Sequence, residues 1–223
     1  MSGSIVFMMV AMVALIQGRQ GKALRESNRV VFFGDSITEL GVKPKGYVSL
    51  IKDSLSTVFK NIEVIGAGVS GHRVPDLQLR VGKDVIAKKP SVVVIYIGIN
   101  DVWHFSLNGR GTQKEHFQSG LRWLVDTLQS TGSRVVLCTP SVVGEKRKGE
   151  NPLDVMLDEY AEITRGIARE RGLTLCDLRE AFFEYLARHN PENRESGILT
   201  YDKVHLSDEG NRLVAKALLK VLR

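Results

Sequence analysis

The sequence predicts an α/β domain built on a five-stranded parallel sheet, and three observations lead there. Five short runs rich in Val and Ile punctuate the chain; the segments between them carry apolar residues at spacings of three and four; and turn-forming blocks follow the first three runs. A parallel crossover needs a dozen or more residues and usually takes a helix, so strands alternating with helices favour a parallel sheet covered on both faces.

The runs are Arg29 to Phe33, Ile62 to Ile65, Ser91 to Ile97, Arg134 to Leu137 and Leu173 to Leu175. After the third, Phe117, Leu121, Leu124, Val125 and Leu128 mark a helix over about Gln113 to Gln129. After the fourth, Leu153, Met156, Leu157, Tyr160, Ile163 and Ile167 mark another. The closing helix carries Leu206, Leu213, Val214, Ala217, Leu218 and Val221. Ser207 stands at its N-cap, and Asp208 and Glu209 fill a first turn where carboxylates suit the positive end of the dipole. Three stretches rich in Gly, Asn, Pro or charge read as loops: Val102 to Thr112, Pro140 to Pro152 and His189 to Tyr201. No repeat or linker divides the chain after residue 28, so residues 28–223 form one domain, long enough for one well-buried core.

Residues 1–27 differ from the rest. Ile5 to Ile16 is an almost unbroken apolar run, too short to span a bilayer comfortably, so no stable membrane span is expected. Its length and small-residue exit match a secretory signal peptide. The lack of a preceding Lys or Arg and of an A-x-A site matches a plain N-terminal extension. Export and a cytoplasmic location stand side by side on these grounds. The formal charge of +6 is spread along the chain, and its densest cluster, Lys146-Arg147-Lys148 between Glu145 and Glu150, reads as a solvated loop. No aromatic-interleaved basic stripe accompanies it, so nucleic acid is not an expected partner. Cys138 and Cys176 each lie near a predicted strand end. Neither has a His/Asp setting, and two buried, reduced thiols are expected.

Chemistry concentrates in four blocks: Gly34-Asp35-Ser36-Ile37-Thr38, Gly68-Val69-Ser70-Gly71, Gly98-Ile99-Asn100-Asp101 and Asp202-Lys203-Val204-His205. In an open parallel sheet ligands gather beyond the carboxyl ends of the strands, where Ser36, Gly71 and Asn100 fall. A serine needs a base within hydrogen-bond reach, and the base gains from a carboxylate that fixes its tautomer. Asp202 and His205, three residues apart, supply both from one turn. Of the other histidines only His104 has a comparably placed acid, Asp101, and that acid is assigned to ordering its loop. The Asn100 amide and the backbone N–H groups of Gly71 and Ser36 are the candidate donors to a developing oxyanion. Gly68 reads as a turn glycine. Trp103, Phe105 and Leu107, beyond the third block, are candidates for an apolar substrate wall, with Trp103 and Phe105 foremost.

On these blocks the chain, from roughly Asn28 to Arg223, resembles the SGNH hydrolase superfamily, the GDSL-type esterases and lipases. Two departures are visible: Ile37 where the family name has Leu, and Gly66 where an Asn often stands. The resemblance implies a flavodoxin-like three-layer α/β/α sandwich, a covalent acyl-enzyme, no metal and no organic cofactor. The expected activity is hydrolysis of short-chain esters, acetyl above all, with a small molecule or a carbohydrate as the alcohol. A lysophospholipase or thioesterase is the enzymatic alternative, and a ligand-binding module on the same fold the non-enzymatic one.

Overall fold

A computed structural model describes Leu24 and residues 29–222. Five strands, β1 (Arg29–Gly34), β2 (Glu63–Gly68), β3 (Val92–Tyr96), β4 (Arg134–Cys138) and β5 (Thr174–Cys176), pair in parallel throughout in the order β2-β1-β3-β4-β5. This is the flavodoxin-like order, and it reverses direction between β1 and β3. Every residue of β3 is buried, as are five of the six in β1, because helices cover both faces of the sheet. Their near-continuous Val, Ile and Phe content is the sequence mark of that burial. β2 is an edge strand and only half-buried.

The helices are α1 (Ser36–Gly41), α2 (Tyr47–Ser56), α3 (Val74–Asp84), α4 (Ile99–Asn108), α5 (Lys114–Ser130), α6 (Asp154–Arg171), α7 (Leu178–His189) and α8 (Asp208–Leu222), with a 3₁₀ turn at Ile86–Lys88. α2, α8 and α7 pack on one another along one face, and α3, α5 and α6 along the other, giving three layers. The core runs through both interfaces, from Phe32, Tyr47 and Leu218 on one side to Ile95, Leu121 and Ile167 on the other. The expected α5, α6 and α8 lie within a few residues of their predicted bounds. Ser207 Oγ accepts from the Gly210 N–H at 3.1 Å, as an N-cap should.

Two expectations need correction. Val102 to Thr112 is mostly helix, not loop: α4 runs to Asn108, with Ile99 and Val102 buried beneath it. It stops at Gly109, whose φ of 71° lets its N–H close on the His104 and Phe105 carbonyls. The Asn and Gly residues that suggested a loop mark only this cap. Gly68 is not a turn glycine but the last residue of β2. A Cβ there would run into the Glu39 nitrogen and the Asp35 carbonyl, so glycine is what lets α1 lie against the strand.

Cys138 and Cys176 are register partners on β4 and β5, buried and free of a disulfide. The signal-peptide or extension reading of residues 1–27 falls outside the described residues, apart from Leu24, which is buried. No described helix is long and apolar enough to cross a membrane.

Candidate active site

The nucleophile turn follows from tight packing at the end of β1. A Cβ on Gly34 would collide with the Tyr96 carbonyl and Thr38 Oγ1, so the chain turns there with no side chain. Asp35 then caps α1, its Oδ1 accepting the Ile37 N–H at 2.9 Å. Ser36 becomes the first residue of α1, only 8% exposed, at the β1/β3 reversal. Burial pushes the Asp35 carboxyl up to about 7. The nearby Asp101 charge adds to this, and the Ile37 N–H and Arg80 oppose it.

Asp202 and His205 arrive on the loop between α7 and α8. That loop is pinched by an antiparallel bridge between Thr200 and Leu206 and by Tyr201 N–H to His205 O at 3.0 Å. Ser36 Oγ lies 2.9 Å from His205 Nε2. On the far side of the ring, Nδ1 lies 2.6 Å from Asp202 Oδ2. The second carboxylate oxygen accepts the backbone N–H of Val204 at 3.1 Å and of His205 at 2.7 Å. Burial alone would raise the Asp202 pKa. The hydrogen bonds from the His205 ring and from these two backbone groups outweigh it, and the carboxyl is held below its ordinary value. Asp202 is therefore favoured as the anion, and an anion beside Nδ1 fixes the proton there and leaves Nε2 free to accept from Ser36.

Gly71 has a φ of 77°, a conformation that side chains rarely adopt, and its Cβ position faces open space. Asn100, 3% exposed, donates from Nδ2 to the His72 carbonyl at 3.1 Å, which ties the β3 end to the Gly71 loop. An amide nitrogen carries two hydrogens, so one remains for another acceptor. Asp101 is buried, and its carboxylate accepts the Val74 N–H at 3.0 Å, fixing the start of α3. Burial, the dominant cause, raises it to about 6. Its position fits the ordering role expected from sequence. The fold thus brings Ser36, His205 and Asp202 into one hydrogen-bonded line and ties the Asn100 amide to the loop that carries Gly71.

Trp103 and Phe105 sit farther along α4. Trp103 packs against the core, and Phe105 lies over Gly111, where a Cβ would strike its ring.

Two residues beside the candidate site escaped the sequence reading. Tyr201, 59% exposed, stacks on the His205 ring at 5.8 Å between centroids and 19° between planes. Its place just before Asp202 was the available signal. Glu145 is the larger surprise, because the loop that read as solvated buries it completely. Its Oε2 accepts the Ile198 N–H at 2.9 Å, and its Oε1 accepts from Leu199 N at 2.7 Å, from Thr200 Oγ1 at 2.7 Å and from Thr200 N. Arg147 and Lys148 beside it are exposed, as expected. The partners of Glu145 lie 53 to 55 residues away, so no local pattern discloses it.

Its own loop is held just as firmly. Buried Arg179 donates to Asp154 Oδ1 at 3.1 Å and to the Ser141 carbonyl at 2.8 Å. Asp154 Oδ2 accepts from Asn151 Nδ2 at 2.9 Å, and Asn151 Oδ1 accepts the Lys146 N–H at 3.1 Å.

A paired Ser and His backed by a carboxylate, at the carboxyl edge of a 2-1-3-4-5 sheet, defines a class: hydrolases on a flavodoxin-like scaffold. Comparison with known proteins makes this specific. Residues 32–213 match the GDSL-like Lipase/Acylhydrolase family, and the chain belongs to that family of ester hydrolases. It is 31% identical over 209 residues to an acetylxylan esterase of Geobacillus stearothermophilus, covering 86% of this chain and 92% of that one. It is 27% identical to a rat isoamyl acetate-hydrolyzing esterase 1 homolog, over 83% of this chain and 78% of the relative. Among solved structures, an acetyl xylan esterase superposes with a TM-score of 0.85 at 42% identity, covering 87% of this chain and all of that one. Catalytic mutants of the Geobacillus enzyme, each with a serine, a histidine or an aspartate replaced by alanine, are also among the structural matches.

Proposed function

We propose that the chain is a serine esterase that removes short acyl groups, acetyl above all, from carbohydrate through a covalent acyl-enzyme. The observation that carries this reading is the unbroken line from Ser36 Oγ through His205 to Asp202, with links of 2.9 and 2.6 Å. In this mechanism Ser36 Oγ attacks the ester carbonyl carbon while its proton passes to His205 Nε2, and Asp202 stabilises the imidazolium. The tetrahedral oxyanion accepts hydrogen bonds from the Ser36 and Gly71 N–H groups and from the free Asn100 amide hydrogen. Collapse breaks the C–O bond, and the alcohol leaves with the proton from Nε2. Water then attacks the acyl carbon with His205 again as base; the bond to Ser36 Oγ breaks, Oγ takes the proton back from Nε2, and the carboxylic acid leaves. Every step of this proposal runs on the chain's own groups and water, with no metal and no organic cofactor.

The acyl and alcohol portions rest on different support. Relatives from a bacterium and a mammal share acetate in their names while differing in the alcohol, which favours a small acyl group. The acetylxylan esterases cover most of the chain and favour an acetylated sugar. Trp103 and Phe105, farther along the helix that follows the oxyanion asparagine, are assigned to the apolar wall on the acyl side.

The test is kcat/KM for p-nitrophenyl esters of increasing acyl length, run beside acetylated xylo-oligosaccharides. Preference for acetyl and release of acetate from the sugars support the proposal. A steady rise from acetyl to octanoyl would reject it in favour of a lysophospholipase or thioesterase.

A further inference from the structure

A cleft of about 540 Å³ lies between α3 and α5 and has no part in the mechanism above. Arg73, Gln78, Gln113, His116, Ser119 and Trp123 are among the residues that line it. Its upper rim continues from the oxyanion loop. Arg73 is two residues beyond Gly71, and the intervening His72 carbonyl is the one held by Asn100. Helices of parallel crossovers run opposite to their strands, so α3 and α5 both begin at the catalytic edge and descend from it. From Lys114 to Trp123 the cleft follows α5 for roughly 13 Å at 1.5 Å per residue. An acetyl group or a small alcohol does not reach that far, whereas a chain of linked rings does.

The lining has the chemistry of a polyol site. The amides of Gln78 and Gln113, the Ser119 hydroxyl and the His116 ring offer donors and acceptors together, and no carboxylate is among the lining residues. Trp123 is 46% exposed and lies off the apolar stripe of Phe117, Leu121, Leu124, Val125 and Leu128, so core packing does not account for it. Its face is large, rigid and apolar, suited to the C–H face of a sugar ring. The floor is set. A Cβ on Gly120 would meet Val74 Cγ1 at 2.6 Å and Gln78 Oε1 at 2.9 Å, so glycine there admits the Gln78 amide. Arg73 is fixed from both sides by the Arg110 carbonyl and by Asp76 at 3.5 Å.

We infer that this cleft is a subsite for the sugar backbone of the substrate's alcohol portion, with Trp123 stacking on a ring one or more residues away from the acetylated one. The inference rests on the carbohydrate reading of the site and adds where the glycan lies. The substrate class it names is an acetylated oligosaccharide rather than a monosaccharide ester.

The experiment compares wild type, Trp123→Ala, Trp123→Phe and Gln113→Ala on acetylated xylo-oligosaccharides of increasing length and on p-nitrophenyl acetate. For Trp123→Ala, the ratio of kcat/KM on the longer oligosaccharides to that on p-nitrophenyl acetate should fall about tenfold, chiefly through KM. Trp123→Phe should recover most of that loss, and Gln113→Ala should show a smaller fall. If wild type deacetylates the oligosaccharides and Trp123→Ala keeps the wild-type ratio at every length, the subsite is overturned while the carbohydrate reading stands. If wild type cleaves p-nitrophenyl acetate but no acetylated sugar, both fall. Sedimentation of the same proteins covers the remaining occupant: if Trp123→Ala dissociates a wild-type oligomer and slows both substrates alike, the cleft is a contact between copies and the subsite is rejected.

Discussion

Thr200 hands both its N–H and its hydroxyl proton to one oxygen of Glu145, a residue 55 positions earlier in the chain. Two residues after Thr200 comes Asp202, so this carboxylate holds the arm that carries Asp202 and His205. Glu145→Gln should therefore lower kcat as well as stability. The amide turns N–H groups toward N–H groups, leaving donors unpaired at about 1–3 kcal/mol each. A drop in Tm of several degrees is expected, with kcat on p-nitrophenyl acetate down about tenfold or more. Steady-state kinetics beside calorimetry check this. A large Tm loss with undiminished kcat would show that the knot serves the fold alone.

Ser36→Ala should cost at least about 10³-fold in turnover while circular dichroism stays as in wild type. His205→Ala should be nearly as damaging and Asp202→Ala milder, since the base acts directly and the carboxylate works through it. The rank order is what matters. Near-normal turnover in Ser36→Ala would remove it as nucleophile.

Asn100→Ala should lower kcat by about 10²–10³-fold through loss of an oxyanion donor. The side chain also holds the His72 carbonyl, so part of the loss comes from the Gly71 loop. A change confined to KM would place Asn100 in ground-state binding instead.

Asp35→Asn should stabilise the protein at neutral and alkaline pH and have little effect in acid. The carboxyl rises from an ordinary 3.8 to about 7 in the folded chain. Below the lower value both states are protonated, and there is no difference. Between the two values the folded chain keeps a proton that the unfolded chain has lost, so stability falls as pH rises, reaching its full loss above about 7. Asparagine keeps the cap without the charge. Melting curves at pH 4 and pH 8 test this: a gain of more than about 3 °C is expected only at pH 8. An equal gain at both pH values would exclude the carboxylate as its source.

The sheet was legible because burial leaves its mark in composition: Val92–Tyr96 and Val30–Phe33 are apolar at every position, as strands covered on both faces must be. The four blocks were legible because each is local, a strand end and its turn. Helix α4 was not, since its Asn, Ser and His residues mask a short buried stripe of Ile99 and Val102. Glu145 was hidden for the opposite reason. A glutamate before Lys-Arg-Lys looks solvated, and only the fold places Ile198, Leu199 and Thr200 around it. The cleft residues of α3 and α5 likewise come from two segments that sequence alone does not bring face to face.

Ser36 and His205 are 169 residues apart, one at the end of the first strand and the other on the loop just before the last helix. A chain growing from its N-terminus exposes its serine long before it possesses the histidine, and the serine stays inert throughout. In the proposed mechanism Ser36 has no base until the loop ahead of α8 is in place, and α8 is the helix that packs on α2. On that mechanism ester hydrolysis would report the placement of the His205 loop. A refolding experiment that follows product release would therefore time the meeting of Ser36 and His205 rather than the collapse of the core.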